Sequence, residues 1–126
     1  RRRIGHGAGM LTVYAYRGCS TCRKAIARLA AAGVAYREVP IREHPPSPAE
    51  LRRVLAAVGG QRKRLFNTSG QAYRSGGVAA RLAGMDDAAA IALLAADGDL
   101  CKRPVVVGPG VALVGFQPAE WAAAGL

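Results

Sequence analysis

Positions 11–16 read L-T-V-Y-A-Y, where larger and smaller residues alternate in a β-branched and aromatic run. That period of two predicts a strand. Gly18 permits a tight turn, and the Ala-rich stretch 20–32 predicts a helix that stops at Gly33, a usual residue just past a helix end. A second strand is predicted over 34–41, V-A-Y-R-E-V-P-I, with Pro40 weakening its far end because it offers no N–H to a neighbour.

Ser47-Pro48-Ala49-Glu50 combines a Ser N-cap, Pro at the first helical position and Glu at the third. This is a capping box, and it predicts a helix that runs to Gly59-Gly60. L-F-N-T-S-G at 65–70 reads as a polar turn. A weak helix follows over 71–84, interrupted at Gly76-Gly77. A stronger one over 86–97 carries two acids at its start, where the helix dipole favours them. Two short strands joined by G-P-G at 108–110 predict a hairpin, and Pro118 opens a closing helix.

The order is therefore β-α-β, a helical block, then β-β-α. It predicts an α/β, thioredoxin-like fold: a mixed four-stranded sheet flanked by helices, with a helical insertion between its two halves. A chain of 126 residues has room for one core. We expect a single domain over 10–126, its helical insert at about 44–100, preceded by a tag-like or disordered leader at 1–9. No apolar stretch approaches the roughly 18–20 residues that span a bilayer. R-R-R-I-G-H-G-A-G-M also lacks the apolar centre of a secretory signal. A cytoplasmic protein, away from membranes and monomeric, is expected.

Charge narrows the partners only slightly. The balance of 18 Lys and Arg against 8 Asp and Glu gives a net +10, which favours anionic partners such as oxyanions, carboxylates and acidic protein surfaces. The arginines are scattered, with clusters only at 1–3 and 61–64, and aromatics are not interleaved with them as a single-strand nucleic-acid surface requires. No direct nucleic-acid contact is expected.

The chemistry rests on the three cysteines. Cys19 and Cys22 form a C-x-x-C pair at a strand-to-helix junction. A metal clip, an inert pair and a redox pair are the three readings open to it. Zinc needs about four ligands, and the chain adds only Cys101, His6 and His44. A C-x-x-C pair at the junction of a β-α-β pattern favours redox chemistry. There, Cys19 faces the unpaired N–H groups and positive end of the helix, with Arg17, Arg23 and Lys24 nearby. Such settings lower a thiol pKa from ~8.5 to roughly 3.5–7.5. Cys22 shares a stripe with Ile26 and Leu29 and is expected to face inward. Cys19 is thus the predicted nucleophile and Cys22 the resolving thiol. Cys101 is expected to be a buried, inert thiol.

Three segments carry a resemblance to a known family: Y-A-Y-R-G-C-S-T-C-R-K-A-I-A-R-L at 14–29, L-F-N-T-S-G-Q-A-Y-R at 65–74 and K-R-P-V-V-V-G-P-G-V-A-L-V-G-F-Q-P-A-E-W at 102–121. In order and spacing they resemble the arsenate-reductase/Spx family of thioredoxin-like proteins. The resemblance implies that Cys19 is redox-active and that Pro104 follows a cis bond opposite it. Arg103 would then hold an oxyanion or a glutathione carboxylate near the sulfur, with Arg23 and Asn67 as further substrate contacts. The chain also departs from the arsenate-reducing members. Where those use three arginines, Asn67 and Gln117 occupy two of the places, and Arg103 alone remains. Arginines 62, 64 and 74 are candidate replacements.

The resemblance implies a thiol–disulfide redox protein, a thiol reductase coupled to glutathione, glutaredoxin or thioredoxin. Glutathione would be a co-substrate, with no cofactor held permanently. The alternatives are a redox-sensing regulator of the Spx type that binds the RNA polymerase α subunit, and an arsenate reductase.

Overall fold

The computed structural model describes residues 10–126; the expected leader at 1–9 lies outside them. Four strands form one sheet: β1 (Leu11–Ala15), β2 (Tyr36–Pro40), β3 (Val105–Gly108) and β4 (Val111–Val114). Their spatial order is β2-β1-β3-β4. β1 runs parallel to β2 and antiparallel to β3, and β3 pairs antiparallel with β4. This is the mixed sheet that the β-α-β and β-β-α halves predict.

β1, β3 and β4 are largely buried on both faces because helices cover both, whereas the edge strand β2 exposes Arg37. Leu11, Val13 and Ala15 of β1 and Val106 of β3 pack with Cys22, Ala25 and Leu29 of α1 (Ser20–Ala31) and with Trp121 of α6 (Pro118–Ala123). Tyr14, Val105 and Val107 point the other way. They pack under α2 (Pro48–Ala57), α4 (Val78–Ala83) and α5 (Asp87–Ala96), with short α3 (Gln71–Ser75) alongside. Successive strand residues thus feed two separate cores, as the period of two demands.

Local chemistry sets the joints. In the capping box the Ser47 Oγ accepts from the Glu50 N–H at 3.1 Å and Glu50 Oε1 accepts from the Ser47 N–H at 2.9 Å. The same Oε1 also accepts from the Tyr14 hydroxyl at 2.8 Å, so the cap fastens α2 to β1. The helix predicted over 71–84 is two helices, divided at Gly77, which adopts φ +60°. Pro40 remains inside β2, opposite Ala15, because β2 is an edge strand and the missing N–H costs no ladder bond there. Two 3-10 turns, Arg62–Leu65 and Gly98–Leu100, have no counterpart in the sequence pattern. Among the described residues, no helix is long and apolar enough to cross a membrane.

Candidate active site

β1 ends at Ala15, and the turn that follows closes with the Cys19 N–H donating to the Tyr16 carbonyl at 2.9 Å. Arg23 Nη1 donates to the Arg17 carbonyl at 2.6 Å and braces the same turn. Cys19 is itself the N-cap of α1, in extended backbone conformation, and is half-buried. Cys22, one turn on, is fully buried and accepts from the Tyr16 N–H at 3.5 Å. Its buried stripe continues through Ala25 and Leu29, with Ile26 only partly covered. Both thiols are free.

The two sulfurs differ in acidity. Burial pushes the Cys19 pKa up, but the polar groups of Cys22 and Thr21 at the helix start outweigh it, and the net direction is down. Cys22 is pushed up to about 11, first by burial and then by the neighbouring Cys19 charge, against the Tyr16 amide and the Arg103 charge. The helix start therefore separates an acidic thiol from a basic one three residues later.

β3 begins beside the end of β1, with Val105 opposite Tyr14, and the strap 101–104 leads into it. Its Arg103–Pro104 bond is cis, and the Pro104 carbonyl accepts from the Gly115 N–H at 2.8 Å. Arg103 Nη2 donates to the Asp99 carbonyl at 3.2 Å and the Gly98 carbonyl at 3.5 Å. Its Nε is buried and has no protein partner. An N–H left unpaired in this way costs roughly 1–3 kcal/mol, and a bound acceptor would remove that cost.

Arg103 opens on a cavity of about 430 Å³ shared with Arg42, Asn67, Gln71, Ser75 and Asp99. Lys102, the preceding residue, lines a second cavity with Lys63, Phe66, Thr68 and Gln117. Of the two places where arginines were missed, Asn67 therefore shares the Arg103 cavity and Gln117 does not. Arg62 and Arg64 are engaged elsewhere. Arg62 donates to Asp87 at 3.3 Å and the Leu82 carbonyl at 2.8 Å, and Arg64 grips Glu120 on two arms of 2.9 Å.

Sequence reasoning missed Arg42 and Tyr16. Arg42 lies 4.8 Å from the Tyr16 ring centroid and pairs with Asp99 at 2.7 Å, while Arg103 lies 5.6 Å from the same ring. No motif marks position 42. The signal was topological: β1 and β2 run parallel, so residues just past both strands emerge at one end of the sheet. Cys101 is buried, its thiol facing the Leu94 carbonyl at 3.5 Å, and burial pushes its pKa up to about 12. Among the described residues, no three His, Cys, Asp or Glu side chains gather as metal ligands would.

Comparison with known proteins agrees with this fold. The Bacillus subtilis (strain 168) protein YusI is 40% identical over 111 residues, covering 88% of this chain and 94% of that one. A crystal structure of a Bacteroides fragilis protein related to the ArsC family superposes with a TM-score of 0.84 at 37% identity, covering 93% of this chain and 98% of that one. A possible arsenate reductase from Streptococcus mutans UA159 gives 0.81 at 39% identity, covering 90% and 97%. A sequence model described as ArsC family matches residues 14–124, from the strand that leads into Cys19 to the helix that closes the fold. By that match over most of its length, the chain belongs to the ArsC family.

Proposed function

We propose that the protein is a thiol–disulfide reductase in which Cys19 attacks and Cys22 resolves. One observation carries this reading. The Cys19 sulfur sits at the start of a 12-residue helix, below its ordinary pKa, beside a neighbour that keeps its proton. The thiolate is the reactive form of cysteine.

Cys19 thiolate attacks one sulfur of a substrate disulfide. The S–S bond breaks, a Cys19–substrate disulfide forms, and the departing thiolate takes up a proton. Cys19 has then lost its negative charge, and one of the influences that holds the Cys22 pKa up is gone. Cys22 loses its proton and attacks Cys19 Sγ, releasing the second substrate thiol and leaving a Cys19–Cys22 disulfide. The substrate has gained two electrons. Two glutathione molecules, or the dithiol of glutaredoxin or thioredoxin, return them. Arg103, with its free Nε, holds the carboxylate of a glutathionyl group near the strap of Pro104, and Asn67 lines the same cavity.

The test is turnover of the mixed disulfide of glutathione and 2-mercaptoethanol, with glutathione, glutathione reductase and NADPH. Cys19→Ser should abolish it, and Cys22→Ser should leave a slower, glutathione-resolved rate. Full activity in Cys19→Ser would sink the assignment.

Arsenate reduction is the second reading, favoured by the unpartnered Arg103 Nε in a polar cavity. It weakens where arginines are absent, because each charge-assisted contact contributes roughly 1.5–3 kcal/mol. Arsenate-dependent NADPH consumption in the same coupled assay supports it, and none above background removes it.

A further inference from the structure

Tyr16 is unusual among the described large apolar residues: it is 38% exposed, yet two guanidiniums lie over its ring. Arg42 lies 4.8 Å and Arg103 5.6 Å from the ring centroid. Both guanidiniums are themselves fixed through Asp99, Arg42 by its carboxylate at 2.7 Å and Arg103 by its carbonyl at 3.2 Å. The hydroxyl end of the ring lies over Gly18. A Cβ there would come within 2.6 Å of Tyr16 Cζ and 2.7 Å of its hydroxyl oxygen. A side chain at position 18 would therefore have to displace the Tyr16 ring. The backbone of Tyr16 meanwhile touches both sulfur-bearing residues, its carbonyl accepting from the Cys19 N–H and its N–H donating to Cys22 Sγ.

We propose that Tyr16 is a positioning residue for the thiol chemistry: its ring, held by Arg42 and Arg103 and folded over Gly18, fixes the turn that presents Cys19 and fastens that turn to the strap carrying Arg103. The inference rests on Cys19 being the attacking thiol. A ring close to two cations suits this task because its π-system attracts both while its hydroxyl end lies over the turn. An aliphatic residue would fill less space and attract neither cation. The phenol hydroxyl is secondary, since the quadrupole of the ring does the holding.

The experiment is second-order alkylation of Cys19 by iodoacetamide at pH 7, read at the Cys19 peptide by mass spectrometry. It compares the unmodified protein with Tyr16→Phe, Tyr16→Leu and Gly18→Ala. The leucine variant should react roughly 5-fold or more slowly, the size expected when cation–ring contacts are lost. Phenylalanine should restore the rate to within about 2-fold, because it keeps the ring. Gly18→Ala, whose new methyl group displaces the movable end of the Tyr16 side chain, should match the leucine variant, and the double substitution should be no worse than either. Equal rates in the leucine variant and the unmodified protein would overturn the proposal, as would a phenylalanine variant as slow as leucine. A slow Cys19 in the unmodified protein counts against the proposed nucleophile instead, while the ratio between variants still decides the role of Tyr16. A purely structural role would lower the melting temperature without changing that ratio.

Discussion

Cys19 caps the start of α1 and Cys22 lies buried one turn on, so an acidic and a basic thiol stand three residues apart. Burial alone would raise the Cys19 pKa; the donors around it reverse the sign. In the reduced protein, alkylation of Cys19 against pH should reach half its plateau below the ordinary thiol value of about 8.5. Cys22→Ala removes one of the influences that lower the Cys19 pKa and should move that midpoint upward. A midpoint that stays in place or falls would mean that the Cys22 thiol does not support the Cys19 anion.

Arg103 brings the free positive charge of the cavity to the strap, tethered by two backbone carbonyls and with its Nε unpaired. Arg103→Met should lower kcat/KM for a disulfide that carries carboxylates by roughly 10- to 100-fold, the size of one charge-assisted contact. A neutral disulfide such as that of 2-mercaptoethanol should lose much less, because it shares only the loss in geometry. Lysine should not restore the rate, since it cannot reproduce the planar fork. Equal losses for the two substrates would show that Arg103 acts on structure and not on substrate charge.

Much of this fold was legible because single residues spoke for whole joints. Ser47, Pro48 and Glu50 announced α2, Gly33 ended α1, the alternation of 11–16 matched β1, and G-P-G between two apolar runs matched the β3–β4 hairpin. The dithiol was legible for the same reason, as a pattern within four residues. Arg42, Tyr16 and Asp99 were not, because their meeting depends on where β2 ends relative to β1 and on a 3-10 turn 57 positions beyond Arg42. Contacts made across such separations leave no local period. The two 3-10 turns escaped for a related reason: each is too short to show a repeat.

Gly98 sets that distant turn. A Cβ there would overlap the Ile41 carbonyl, and the neighbouring atoms are backbone that cannot step aside. Its own carbonyl and that of Asp99 hold Arg103. Gly98→Ala should destabilise the protein by roughly 1–3 kcal/mol, as overpacking does. It should also reduce the preference for a carboxylate-bearing disulfide by moving Arg103. Urea midpoints and the two-substrate comparison check both effects. An unchanged midpoint would mean that the 97–100 turn yields more easily than the contact implies.

Buried thiols also set the alkaline limit of the reduced protein. Burial is the main cause that pushes Cys22 up to about 11 and Cys101 up to about 12. For a group whose folded pKa is raised, stability is fully present below the unfolded value and is lost as pH rises through the folded one. Both thiols should therefore cost stability progressively from about pH 8.5 upward, each by up to about 1.4 kcal/mol per pH unit while only the unfolded chain ionises. Cys19, with its pKa lowered, has the opposite sign: its contribution is present above the unfolded value and fades as pH falls. Between pH 8 and 10 the net slope is downward, because two raised thiols oppose one lowered one. Cys101→Ala should start less stable at pH 7, having lost a packed side chain, and should then decline more gently with pH. Urea midpoints of the two proteins at pH 7, 8, 9 and 10 give the slopes, and parallel declines would mean that Cys101 ionises in the folded protein as readily as in the unfolded chain.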